Sequence, residues 1–283
     1  MTGVMRAWAG GSRRGVRGLI AALLLLCFAG GQAGAGTDEP LDLRYRFSWA
    51  GVPVAVFGLR HMTNAVIYQT ELQIESTGLA DQLFGYRSLT SATGSYGAPD
   101  RFTASRFRTD YTSHRKSRRI LVRFDPDTGD VIDLEITRRG EPERSKVPEA
   151  LQRGVMDPLT AFNELRHRLA SQEGADSYAS AVFDGRRRFD LEASVIGRER
   201  AEIAGRVQPV IRVEIRLKWI AGSNQDDMEP AQAGNDTFRL ELLLSDDERR
   251  LPLRLTTLDS LFTAKLEIMP ECLRPQGCEA VSG

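Results

Sequence analysis

The sequence predicts a mainly β protein, built as a large curved antiparallel sheet with one central α-helix. The sheet is expected to be an open half-barrel or β-spiral, and the helix to pack on its concave side or plug its open end. In many segments apolar and polar residues alternate with period two, which is typical of strands with one buried face. Residues 157–170 instead have apolar residues three and four positions apart, as in a helix.

Residues 1–35 have the features of a secretory signal peptide. A basic start is followed by an apolar stretch at 19–28 and by small residues that end at Ala35. We therefore expect export to the periplasm, cleavage after about Ala35 and a short tail at 36–40. The adjacent arginines at 13–14 leave the twin-arginine route open beside the general secretory route.

The remaining chain is mildly acidic and long enough for one large domain. The full chain has 38 basic and 38 acidic residues, and four of the arginines lie in residues 1–35. This balance argues against nucleic acid as a partner, because nucleic-acid binding favours a strongly basic surface. After residue 35 no apolar stretch has the length of a transmembrane segment. Cys272 and Cys278 are predicted to form a small disulfide loop in a C-terminal tail at 271–283.

The first run of strands is predicted over residues 41–137. Its clearest strand is 41–49, where Leu, Leu, Tyr, Phe and Trp alternate with polar residues. A helical turn is expected between the glycines of 78–85. A tight turn at 125–130 contains Pro, Asp and Gly and predicts a hairpin. The other strands of this run are predicted at 53–61, 67–75, 88–96, 102–111, 119–124 and 131–137.

The middle of the chain predicts a linker and then the helix. Residues 138–156 are charged, contain two prolines and lack periodicity, so we expect an exposed linker. Asp157 is a favourable N-cap and Pro158 suits the first helical position, which starts the helix of 157–170. Four polar residues are expected on its solvent face: Glu164, Arg166, His167 and Arg168.

The second run of strands is predicted over residues 178–269. The Asp184-Gly185 pair predicts a hairpin between strands at 178–183 and 188–195. Residues 221–235 are rich in Gly, Asn, Asp and Gln and predict a loop. Further strands are expected at 206–219, 238–244, 251–257 and 261–269, for a total of about thirteen.

The sequence contains no recognisable catalytic or metal-binding motif. His61, His114 and His167 lack the paired spacing of metal ligands, so we interpret them as surface residues and expect no metal or cofactor. No Gly-x-Ser-x-Gly elbow, phosphate loop or dinucleotide fingerprint is present. We therefore expect no catalytic residues.

Two sets of residues are candidates for ligand contacts. Aromatic side chains either fill the core or line a cavity of the curved sheet: Tyr45, Phe47, Trp49, Phe162 and Trp219. Basic side chains near two predicted hairpin ends either bind anions such as lipid phosphates or are simply solvated: Arg115, Lys116, Arg118, Arg186 and Arg188.

Three motifs, in their order along the chain, carry a resemblance to a known family. They are the aromatic strand followed by Gly-Val-Pro-Val at 51–54, the Asp-Pro-Leu-Thr-Ala at 157–161, and the Phe-Asp-Gly-Arg-Arg-Arg-Phe-Asp-Leu at 183–191. Together they resemble the bacterial exported family named domain of unknown function 3108. The resemblance covers about 41–269 and implies one domain over 41–270. It also implies an envelope protein whose curved sheet is loosely similar to that of periplasmic lipoprotein carriers, without established catalytic residues.

These observations favour a non-enzymatic periplasmic envelope protein that binds a lipid or another amphipathic molecule on the curved sheet. One alternative is a structural module that docks another envelope protein through a free sheet edge or through the loop at 225–235. The last alternative, a hydrolase of cell-wall glycans, would need two facing carboxylates in a cleft.

Overall fold

In the computed structural model the described residues are 41–64, 66–97, 101–171, 176–222, 237–259, 262–273 and 278. The predicted signal peptide, the tail at 36–40 and the loop at 225–235 lie outside these residues. Within them, every strand belongs to one sheet of fourteen strands.

The sheet is antiparallel and open, which confirms the predicted fold class. The strands are β1 (Leu41–Trp49), β2 (Val52–Thr63), β3 (Ile67–Ser76), β4 (Arg87–Gly97), β5 (Arg101–Ser113), β6 (Lys116–Phe124), β7 (Val131–Arg138), β8 (Glu141–Pro142), β9 (Ser177–Phe183), β10 (Arg188–Ile203), β11 (Arg206–Ala221), β12 (Thr237–Ser245), β13 (Pro252–Thr257) and β14 (Ala264–Ile268). Their spatial order runs from β8 down to β1 and then from β14 down to β9. β8 and β9 are therefore the two edges, and β1 pairs with β14 in the middle.

Two helices accompany the sheet, α1 (Gly78–Phe84) and α2 (Pro158–Ser171). The α1 helix connects β3 to β4 and ends at Gly85, whose positive φ of 52° suits a glycine C-cap. The α2 helix begins as predicted at Asp157, whose Oδ1 accepts the backbone N–H groups of Leu159 and Thr160 at 2.8 and 3.0 Å. It contacts β4, β5 and β9, so it bridges two distant parts of the sheet.

The prediction of a solvent face on α2 is wrong for three of its four residues, whereas the side chain of Arg168 is 42% exposed. Glu164 and Arg166 are each only 2% exposed, and His167 is also buried. The helix lies inside the curve of the sheet, so its polar side is covered as well as its apolar side. Glu164 Oε2 accepts the N–H of Phe102 at 2.7 Å, and Arg166 donates to the carbonyls of Arg250 and Arg249 at 2.8 and 2.6 Å. Helical periodicity separates polar from apolar residues, but it does not distinguish solvent from buried polar partners.

Three further expectations are corrected by the structure. The segment 138–156 is not a simple exposed linker: Val147 and Val155 are buried, and Val155 N–H donates to the carbonyl of Gly129 at 2.8 Å. The strand expected at 188–195 continues to Ile203 and forms with β11 a long hairpin, in which Ile203 is fully buried. His61 lies within β2 and is buried, whereas the sequence suggested a surface position.

Candidate functional site

The concave side of the sheet is filled by core side chains. Tyr45, Phe47 and Phe162, three of the five aromatic candidates, are between 0 and 2% exposed and pack between the sheet and α2. They are inaccessible to a ligand in this structure. Trp49 and Trp219 are only partly buried, and each lies at the end of its strand.

A buried polar network fixes α2 within this core. Tyr68 and Asp157 both bond to the hydroxyl of Thr160, and burial raises the pKa of Asp157 to about 6. Beside them, His61 Nδ1 lies 2.8 Å from Thr70 Oγ1, and Asn163 Nδ2 donates to the same oxygen at 2.9 Å. The histidine and threonine pair has the groups of a base and a nucleophile. However, Thr70 has no exposed surface, so no substrate reaches it.

Accessible apolar side chains collect at one end of the strands. The α1 helix buries none of its residues, and Leu79 and Leu83 are 73 and 55% exposed. Two hydrogen bonds and one ring contact connect the segments at this end. Thr77 N–H donates to the Val54 carbonyl at 2.9 Å, and Ala50 N–H donates to the Thr263 carbonyl at 2.9 Å. The rings of Trp49 and Phe262 have centroids 6.5 Å apart. We name as the apolar rim the five large exposed side chains of these segments: Val52, Leu79, Leu83, Phe84 and Phe262.

A basic turn lies directly beside the apolar rim. The N–H of His114 donates to the Phe84 carbonyl at 2.9 Å, which fixes the turn between β5 and β6 against the end of α1. Arg115 and Lys116 follow in this turn and are exposed and half-buried, respectively. We call these two residues the basic turn. The nearby acid Asp81 of α1 is paired with Arg87 at 2.6 Å.

The other three basic candidates lie at the same end of the sheet and are all half-buried. Arg118 makes two hydrogen bonds to Glu143, at 2.9 and 3.1 Å, and stacks on Tyr111. Arg188 pairs with Asp190 at 2.8 Å. Burial lowers the pKa of Arg186, and the neighbouring Arg118 acts in the same direction. The structure therefore gathers all five basic candidates at one end of the sheet, and Arg115 of the basic turn is the exposed residue among them.

Sequence reasoning missed the apolar rim although it predicted the helical turn in α1. The available signal was the pair Leu79 and Leu83, four residues apart on one helical face, within a segment bounded by glycines. A helix this short cannot bury both faces, so such a pair indicates an exposed apolar surface.

The fold and the rim define a mainly β protein with an open, helix-filled sheet and an apolar end beside basic residues. The chain belongs to the family described as "Protein of unknown function (DUF3108)", whose model matches residues 44–267.

Two solved structures are similar to this chain. A β-barrel-like protein of domain of unknown function DUF1849 from Brucella abortus is 12% identical, with a TM-score of 0.47, over 81% of this chain and 95% of that protein. A "putative lipoprotein" from Parabacteroides distasonis is 8% identical, with a TM-score of 0.31, over 82% of this chain and 94% of that protein. No curated protein matches the chain.

Proposed function

We propose that this protein is a non-enzymatic envelope protein, exported to the periplasm, that binds lipid at a membrane surface through the apolar rim and the basic turn. The observation that carries this proposal is the position of the two features: they adjoin each other at one end of a sheet whose interior is filled. Amphipathic surfaces of this type place apolar side chains among acyl chains and basic side chains among phosphates.

The magnitudes are adequate for reversible binding. A fully buried Leu or Phe side chain contributes about 1.5–3 kcal/mol, and the rim side chains are about half exposed before they meet the lipid. A basic side chain near an anionic surface adds about 1 kcal/mol. In the described part of the chain, neither helix has the length and apolar character to cross a bilayer.

Binding rather than catalysis is supported by the position of the polar groups. The residue pair most similar to a base and a nucleophile, His61 and Thr70, is enclosed in the core, where it orders α2. Asp157, the acid with the largest resolved upward pKa shift, is fully buried and caps the helix. These groups therefore have structural partners and no access to a substrate.

Vesicle flotation tests the proposal. The protein should float with phosphatidylglycerol vesicles and much less with phosphatidylcholine vesicles, because the basic turn requires anionic headgroups. A Leu79→Asp/Leu83→Asp variant should stay unbound. The matched control is Ile132→Asp/Ile196→Asp, which changes two similarly exposed apolar side chains on β7 and β10 away from the rim. Wild-type protein that fails to float, or a rim variant that floats like the control, would overturn the proposal.

A further inference from the structure

A second surface feature, distant from the apolar rim, is a cleft beside the edge strand β9. Its volume is about 420 Å³, within the range of small ligand sites. One wall is the backbone of β9 from Ser177 to Ala181. The other side chains that matter here come from β5 and α2: Arg101, Glu164 and Arg168.

The β9 edge presents backbone groups to this cleft. Met156 donates its N–H to the Ala181 carbonyl at 3.0 Å and accepts the N–H of Phe183 at 2.9 Å, which occupies the upper part of the edge. Because peptide groups alternate in direction along a strand, those of Ser177 and Ala179 point to the same side as those of Ala181 and Phe183, away from β10. In the described part of the chain, no other backbone group bonds to this side of β9 at Ser177 or Ala179. Ala179 is exposed and small, so another strand has room to approach.

The charge of the cleft is positive. Both oxygens of Glu164 are engaged, one by the N–H of Phe102 and one by Arg168 Nε, each at 2.7 Å. Arg101 is exposed, and among the residues that the structure describes no carboxylate lies within ion-pair distance of it. Burial raises the pKa of Tyr178, and the charge of Glu164 acts in the same direction, whereas a hydrogen bond with Ser180 and the charges of Arg168 and Arg101 lower it. Two guanidinium groups and one carboxylate therefore act on the Tyr178 hydroxyl, which gives the cleft a net positive charge.

We infer that this cleft binds an extended acidic peptide segment of another protein, which adds as a strand to β9. The peptide backbone would bond to the free groups of Ser177 and Ala179, and an acidic side chain would meet Arg101 and Arg168. An edge with unpaired backbone groups is a template for such pairing. The acidic character of the occupant follows from the charge of Arg101, which has no ion-pair partner among the described residues. This inference is independent of lipid binding, since the cleft beside β9 shares no residue with the apolar rim or the basic turn.

Fluorescence anisotropy with a labelled peptide of alternating valine and glutamate tests the inference. We expect saturable binding that is lost when lysine replaces glutamate in the peptide. Arg101→Gln should weaken binding about tenfold, as expected for the loss of one charge-assisted hydrogen bond. Ala179→Pro should abolish binding, because it removes an N–H that β10 does not use, while the matched variant Ala179→Ser keeps that N–H and should bind like the wild type.

The other possible outcomes would each contradict a specific part of the inference. Absence of wild-type binding, or equal binding of the acidic and basic peptides, would overturn the inference. Binding that survives in Ala179→Pro would exclude strand addition. Sedimentation that reveals a dimer dependent on Ala179 would show that a second copy of the chain is the occupant. If Ala179→Pro does not fold, the expected tenfold loss of peptide affinity in Arg101→Gln still tests the inference. The Arg101→Gln variant should also float with vesicles like the wild type, which separates this inference from the proposed function.

Discussion

Replacement of His61 by asparagine probes the buried network that holds α2 in the sheet. His61 is 2% exposed, and burial, reinforced by the charge of Arg166, lowers its pKa from 6.5 to about 3. Since Thr70 Oγ1 already accepts a hydrogen bond from Asn163, the Thr70 hydroxyl proton is available for His61 Nδ1. With the Thr70 hydroxyl donating to Nδ1, the neutral imidazole carries its proton on Nε2, which is buried and has no hydrogen-bond partner among the described residues.

The sign and size of the effect follow from these values. The unfolded chain binds a proton at His61 near pH 6.5, whereas the folded chain binds none until about pH 3. The contribution of His61 to stability is therefore complete above pH 6.5 and is lost as the pH falls. Each pH unit in this window corresponds to about 1.4 kcal/mol, so acidification to pH 5 costs about 2 kcal/mol through His61. Asparagine keeps an acceptor near the Nδ1 position and does not titrate, so the variant should not incur this loss.

Urea unfolding followed by tryptophan fluorescence at pH 7.5 and pH 5 measures the effect. The quantity compared is the change in unfolding free energy between the two pH values, because the substitution also costs packing at every pH. Burial of Asp157 raises its pKa and acts in the opposite direction between about pH 4 and pH 6, but equally in both proteins. The control is His114→Asn at an exposed position, which leaves His61 in place and should therefore keep the acid loss that His61 causes. An equal acid loss in His61→Asn and wild type would refute the reasoning.

Two further predictions concern the core and the C-terminal segment. Phe162→Ala should lower the unfolding free energy by about 3–5 kcal/mol, because Phe162 is fully buried between the sheet and α2, whereas Leu83→Ala on exposed α1 should change it by less than about 0.5 kcal/mol. A small effect of Phe162→Ala in urea unfolding would mean that the interior is not packed. The structure contains the predicted disulfide between Cys272 and Cys278. A Cys272→Ser/Cys278→Ser variant should lose about 2 kcal/mol and should match reduced wild type, and equal stability of the variant and oxidised wild type would contradict this expectation.

Local patterns were sufficient to predict most of the sheet. β1 alternates strictly in sequence, and Leu43, Tyr45 and Phe47 are the apolar residues that it buries. The turn at Asp184-Gly185 is also correct: Asp184 Oδ1 accepts the N–H groups of Arg186 and Arg187 at 2.8 and 2.7 Å. In these segments the backbone conformation and the buried face are determined by neighbouring residues, so a single sequence contains the necessary information.

Features that depend on distant contacts were missed. The burial of Arg166 requires the carbonyls of Arg249 and Arg250, more than eighty residues away, and nothing near Arg166 in the sequence indicates them. The free edge of β9 likewise depends on the order of strands in the sheet. The position of the basic turn beside α1 results from the pairing of β4 with β5. Each of these features is a property of the assembled sheet, which periodicity does not encode.

The central pairing of β1 with β14 has a consequence for biosynthesis. Tyr45 lies opposite Ile268, so the two ends of the domain meet in the middle of the sheet. Strands β1 to β8 are paired in sequence order and are able to form early as a meander. Their join to the second half waits until the last strand has been synthesised, and such long-range contacts form slowly. In a polypeptide that crosses a membrane before folding, β1 would therefore lack its partner strand β14 until the final segment has emerged.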